Sequence, residues 1–294
     1  MRKRTLSNIV LLAAATSLAI FIAITPEKEE HLVLEPLGNE NPRSVSRIRL
    51  ELGGGEIIEL RRADNTWQVV DPIHIAANDF RVSALLRVLE APVHARIDTG
   101  DQPLAPFGLA PARARVLLDG EEILFGNTEP IHGRRYLLYN GKIALVDDTY
   151  FSHLSSSAAN YVHPALLGRD PSLQSILLPD TRIFQQAGNW RLDSNHDSAS
   201  DDDITRFVDA WRHAHATAVR PYEKSLDWTD EISIGLADGN VRFDLARTEY
   251  ELIFGRADLG IQYHMTKRAG AHLLNIKPPD EGPLAPSPSG RGSG

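Results

Sequence analysis

The sequence predicts an α+β fold: an N-terminal transmembrane helix followed by two tandem repeats, each an antiparallel sheet covered by one helix. Three observations carry that prediction. The chain starts with a basic-flanked apolar stretch, short apolar-alternating runs recur along the rest of it, and one order of signals occurs twice. A recurrence of this kind defines the architectural unit, so it is read before any site is assigned.

Residues 1–4 form a basic flank, with Arg2, Lys3 and Arg4 preceding an uncharged stretch from Thr5 to Thr25. As a helix rising about 1.5 Å per residue, residues 5–25 reach roughly 30 Å, the thickness of a bilayer's hydrocarbon core. The basic flank belongs on the cytoplasmic side, which predicts a single-pass anchor with the rest of the chain exported. A cleaved signal peptide shares the basic start and apolar core. It fits less well, because there is no clean small-x-small exit and Pro26 would follow a cut after Thr25. Residues 26–44, rich in Glu, Pro and Asn, read as a linker, and residues 278–294, "PPDEGPLAPSPSGRGSG", as a tail too polar and Pro/Gly-rich to fold.

The first repeat, residues 45–165, opens with "VSRIRLEL" and "GEIIELRRADNTWQVV", alternating runs separated by glycines in the manner of a β-hairpin. A helix is predicted at "DFRVSALLRVLEA", where Val82, Leu85, Leu86 and Leu89 make one stripe and Asn78 stands at the N-cap. Strands follow at "RARVLLD", "EEILFG", "RRYLLYN" and "KIALVDD", with "DGE" at 119–121 as a tight turn. The second repeat, residues 166–277, runs through "LQSILLP", "TRIFQQAGNWRLD", the helix "DDITRFVDAWRHAHA", and then "EISIGLAD", "NVRFDLA", "YELIFG", "IQYHMTK" and "AHLLNI". Trp67 precedes Asp79 by 12 residues, as Trp190 precedes Asp202. "EILFG" at 122–126 answers "ELIFG" at 251–255, and each glycine is followed by a tyrosine, Tyr136 or Tyr263.

With 294 residues and 42% hydrophobic content the chain can bury a sizeable core. A net charge of −8 argues against a nucleic-acid partner, which calls for a basic stripe able to neutralise phosphates. The absence of cysteine excludes disulfides and thiolate chemistry.

Candidate chemistry is sparse. In "GNTEPIHGRR", Arg134 and Arg135 beside His132 suit a carboxylate or phosphate, since an arginine fork binds such groups bidentately. Neighbours on a strand point to opposite faces, so one arginine at most serves a given site. A solvated strand edge kept basic against aggregation is the plainer reading. No phosphate-loop or dinucleotide fingerprint is present, so no nucleotide is expected. Asp209 and His213 have i, i+4 spacing on the predicted helix while His215 diverges, and a solvated helix end is preferred over a metal. In "SDDDITRF", Ser200 and Asp203 have the spacing of a capping box. "HLSSSAANYVH" brings serine and histidine together without a nucleophile elbow or a third member. Trp67 and Trp190 read as buried scaffold with a carbohydrate platform as the alternative. Trp211 and Trp228 lack first-half counterparts and so join His132, Arg134 and Arg135 as candidate ligand-binding residues. No metal or cofactor is expected.

"WQVVDP" at 67–72, the helix after it, "FGLAP" at 107–111, and "FG" at 125–126 followed by Tyr136 resemble the bacterial domain-of-unknown-function family numbered 4340. The resemblance covers most of residues 45–165 and the second half more loosely. It implies a single-pass inner-membrane protein with its C-terminal domain in the periplasm, sometimes encoded beside gliding-motility-type ABC transporter components. It supplies no catalytic residue. The function expected is therefore a non-enzymatic binding or scaffold module of the cell envelope, with envelope or ABC transporter proteins as partners. The rival readings are an accessory subunit of an ABC-type exporter, and an envelope hydrolase using carboxylates between the lobes.

Overall fold

The structure is a computed structural model that describes residues 34–100, 102–194 and 199–277. By its backbone contacts the chain divides at Glu35/Pro36, and the architecture below is that of the second unit, Pro36–Gly294. The predicted transmembrane helix at residues 5–25 and the tail at 278–294 lie outside the described residues. Among the described residues no helix is long and apolar enough to cross a membrane.

The strands alternate as the sequence suggests and outnumber the predicted ones. Lobe 1 contains β1 (Arg47–Leu52), β2 (Ile57–Ala63), β3 (Thr66–Asp71), β4 (Ile75–Ala76), β5 (Ala95–Asp98), β6 (Ala114–Leu118), β7 (Glu121–Thr128), β8 (Arg134–Tyr139) and β9 (Lys142–Asp147). Lobe 2 contains β10 (Leu173–Leu177), β11 (Thr181–Gln186), β12 (Asn189–Ser194), β13 (Ala218–Pro221), β14 (Trp228–Leu236), β15 (Gly239–Arg247), β16 (Glu251–Arg256) and β17 (Ile261–Thr266). The first sheet is ordered β4-β3-β2-β1-β6-β7-β8-β9-β5 and the second β12-β11-β10-β14-β15-β16-β17-β13. Without β4, the two sheets follow the same path.

This corrects the α+β expectation. Two large antiparallel sheets dominate, and the helices α1 (Asp79–Leu86), α2 (Asp201–Arg212) and α3 (Lys267–Leu274) are short, so the fold is mostly β. Two physical causes account for the misjudgement. The added strands β4, β5 and β13 are two to four residues long, too short for an apolar alternation to register, and β5 and β13 are largely exposed. The first helix also ends early: after Leu86 the chain tightens into a 3-10 turn over Arg87–Glu90, and Ala91 is extended (ψ 124°). Pro92 follows, and a residue before proline is pushed out of the helical region.

Helices α1 and α2 begin where the sequence signals them. The Asn78 side chain accepts from the Phe80 and Arg81 N–H groups. Ser200 and Asp203 form the reciprocal capping box, beneath three aspartates in the first turn of α2. Val82, Leu85 and Leu86 of α1 enter a core with Ile48, Leu50, Ile58, Leu60, Val69 and Val116 from the first sheet. Ile204, Phe207, Val208 and Trp211 of α2 do the same against Ile232, Ile234, Phe243 and Phe254 of the second.

Sheet position also corrects the expected correspondence between halves. "EILFG" lies on β7 and "ELIFG" on β16, yet the counterpart of β7 is β15 and that of β16 is β8. Tyr136 on β8 is half-exposed, and Tyr263 on β17 is buried within the second core. The two glycines answer different needs. A Cβ at Gly126 would lie 2.3 Å from the Phe107 carbonyl oxygen, whereas at Gly255 it would strike the rings of Tyr222 and Trp228.

The lobes are joined by a strap, residues 161–166, bonded on both sides. Towards lobe 1, Asn78 N–H donates to Tyr161 O (2.7 Å) and His163 N–H to Ala76 O (2.8 Å). Towards lobe 2, Ala216 N–H donates to Pro164 O (2.9 Å) and Leu166 N–H to Ala214 O (3.1 Å). Ile73 and Ile75 pack against both cores.

Candidate functional site

The candidate ligand residues do not converge. Arg135 is buried, and its donors are occupied. Nε pairs with Asp148, Nη1 donates to Gly126 O (2.5 Å), Nη2 donates to Thr128 Oγ1 (3.2 Å), and the guanidinium lies 3.9 Å from the centroid of the Phe151 ring. It fastens the irregular end of the β7–β8 hairpin, where the register shifts between Phe125 and Thr128. Arg134, on the opposite face, is half-exposed. His132 is exposed at the hairpin tip. There the buried Glu129 carboxylate accepts from the N–H groups of Ile131 (2.9 Å) and His132 (2.6 Å), which holds it below the usual carboxylate range despite its burial. Glu129 thereby orders the tip and leaves Ile131 80% exposed.

Trp211 is fully buried. Its Nε1–H donates to Leu273 O (2.9 Å), and its ring packs on Phe243 and Phe254, so it is a core residue. Trp228 stacks on Tyr222 with centroids 4.9 Å apart and planes 9° apart, and its Nε1–H donates to Glu223 O. His213 is the C-cap of α2, its N–H donating to Asp209 O (3.0 Å), and His215 lies beyond it; both are exposed, and the Asp209 carboxylate pairs with Arg212. Of the serine-rich stretch, Ser155 Oγ accepts from Ser157 N–H and Asn160 Nδ2, which makes it a local turn.

What the fold does assemble is a groove between the lobes. A cavity of about 500 Å³ lies between Pro72–Ile73 and Ser156–Ala159 on one side and Pro221 and Leu259–Ile261 on the other. Glu56, its lining carboxylate, accepts from Ala158 N–H (2.6 Å). A smaller cavity of about 200 Å³ adjoins it, sharing Leu259 and lined by His74, Ile75, His163, Val241, Arg256 and Tyr263 among others. Strap and sheet together position this inner cavity. His163 stands on the strap with Nδ1 accepting from Ala165 N–H (3.2 Å), which leaves Nε2 to carry the proton of the neutral ring. Burial lowers its pKa, and the neighbouring Arg169 and His215 act in the same direction against Asp79. Arg169 is held by Asp79 (2.8 Å) and Ala77 O (2.9 Å). Arg256, at the end of β16, engages Asp258 through Nε and Nη2 (2.9 and 2.8 Å). Burial pushes the Tyr263 phenol up to about 12.

The five residues proposed from the sequence as ligand-binding do not line this groove, although the serine-histidine stretch at 153–163 supplies Ser156 and Ser157 to it and His163 to the inner cavity. The groove residues come from loops and strand ends that are distant along the chain, and each looks ordinary alone. The available signal was "YVHP" at 161–164, a histidine beside a proline between two repeats, where a connector must cross from one core to the other.

A two-lobed antiparallel β protein with a pre-formed groove at the lobe junction is thus the class that fold and site define. The sequence profile of the family described as Domain of unknown function (DUF4340) matches residues 67–229, more than half of the chain. The chain belongs to that family. The matched stretch begins at Trp67 on β3, spans the strap, and ends beside Trp228 on β14. Comparison with curated proteins and with solved structures gave no match.

Proposed function

We propose that this protein is a single-pass, inner-membrane-anchored binding module of the cell envelope. In this reading residues 5–25 hold the chain, the two-lobed unit lies in the periplasm, and a partner seats in the inter-lobe groove. The basic-flanked apolar segment supports the location. The groove itself supports the binding role: concave, largely apolar sites with a few placed polar groups, found at junctions between lobes, are where ligands bind. It is also pre-formed, because the strap bonds to both lobes at its floor.

Two measurements on the full-length chain in cells test the proposal. Protease added to spheroplasts should degrade the two-lobed unit; its protection would refute the periplasmic placement. A photo-cross-linking side chain at Ile73, in the groove, should yield a discrete adduct, whereas one at Ile131, on the hairpin tip, should not. Transporter subunits in that adduct would favour the exporter-accessory reading over a general envelope scaffold.

A further inference from the structure

The strap that joins the lobes carries a titratable ring. His163 Nδ1 accepts from the Ala165 N–H (3.2 Å), and Ala165 is buried. The bonds that hold the strap to lobe 2 stand on either side of it: Ala216 N–H donates to Pro164 O, and Leu166 N–H to Ala214 O. Ala165 itself forms a β-bridge with His215. A ring that accepts at Nδ1 is neutral, because a protonated imidazole has donors at both nitrogens. Taking up a proton therefore deprives a buried N–H of its acceptor in the middle of the lobe 2 contact.

The surroundings oppose that charge as well. The His215 ring lies across from His163 with centroids 6.0 Å apart. The inner cavity beside it is lined by His74 from lobe 1 and by Arg256 and Tyr263 from lobe 2. The nearby carboxylates are already engaged, Asp79 by Arg169 and Asp258 by Arg256. Burial, followed by Arg169 and His215, lowers the pKa of His163, with Asp79 opposing them. A lowered histidine value means that a released strap binds the proton more readily than a docked one. Docking is thus strongest above the ordinary histidine value, about 6.5, and is lost as pH falls through the lower, docked one.

We propose that His163 is an acid-released latch of the lobe junction: protonation of its ring frees the strap from lobe 2 and loosens the floor of the groove. As regulation of binding this rests on the groove being the binding site; the release itself does not.

Hydrogen exchange of the full-length chain in mild detergent tests the latch from about pH 7.5 to about pH 5, the range in which histidine changes charge. Protection at the Leu166 and Ala216 amides, corrected for the intrinsic rate at each pH, should fall by up to about tenfold per pH unit below about 6.5, the limit for one titrating group. Val116 and Phe243, in the two cores, should hold theirs. His163→Asn separates titration from structure. An Asn side-chain oxygen accepts from the N–H two residues on and does not titrate, so the strap amides of this variant should stay protected under acid. His163→Ala offers no acceptor, and its strap amides should exchange readily at every pH. Wild-type strap protection that is unchanged by pH, an equal loss at the core amides, or a His163→Asn variant that loosens as the wild type does would each overturn the proposal. The Ile73 cross-link is read at neutral pH with the strap docked, so its failure would remove the groove reading and leave the latch standing, while a flat exchange profile would do the reverse.

Discussion

Arg134 and Arg135 are neighbours on β8, and strand alternation sends them to opposite fates. Replacing Arg135 with alanine strips Asp148, Gly126 O and Thr128 of their partner and uncovers Phe151. The expected loss is about 2–3 kcal/mol, the scale of hydrogen bonds to a charged group, while Arg134→Ala should stay within about 0.5 kcal/mol. Denaturant melts of the two variants check the contrast. Asp119 supplies a pH-dependent counterpart. It sits at positive φ in the β6–β7 turn and accepts from Ser46 and Arg47, tying the start of β1 to that turn. Burial would raise its pKa, but those hydrogen bonds prevail and the carboxyl lies below its usual value. A depressed folded-state pKa contributes stability above the unfolded value, about 4, that is lost as pH falls through the folded one. The melting-temperature advantage of the wild type over Asp119→Asn should therefore be widest near neutrality and shrink under acid. A gap that did not change with pH would contradict this.

At the scale of elements, start signals were easier to read than ends. Asn78 and Ser200 announce their helices because capping is a local hydrogen bond between a side chain and an N–H two or three residues on. Ser200→Ala should cost about 1 kcal/mol, measurable as a lower unfolding midpoint at unchanged slope. The strands were legible wherever one face alternates, as in β1 with Ile48 and Leu50. Correspondence between halves was not. "EILFG" and "ELIFG" look alike because both strands bury an aliphatic and a phenylalanine, yet they hold different places in their sheets. Gly126→Ala tests the distinction. The backbone oxygen of Phe107 stands 2.3 Å from the added carbon and cannot rotate away, so this variant should unfold at clearly lower denaturant than the wild type.

At the scale of the molecule, the strap makes the lobes one object, and the site follows from that junction. The candidates drawn from sequence, His132, Arg134, Arg135, Trp211 and Trp228, fell on a hairpin tip, in a core and in an aromatic stack, because chemical distinctiveness along a chain says little about depth. The groove was not legible, even where the sequence drew attention to Ser156, Ser157 and His163, because concavity arises only when Pro72–Ala76, Ser156–Leu167 and Leu259–Tyr263 are brought side by side. Ala216→Pro deletes the N–H that donates to Pro164 O, and it should split cooperative unfolding into two calorimetric steps. A single transition would show that this one bond is not needed to couple the lobes, and that the remaining strap bonds with Ile73 and Ile75 suffice. The most direct test of the account is photo-cross-linking in cells from Ile73 in the groove, with Ile131 on the exposed tip as the comparison. The account predicts a discrete adduct from Ile73 and none from Ile131; an adduct from Ile131 alone would move the binding surface to the hairpin and contradict it.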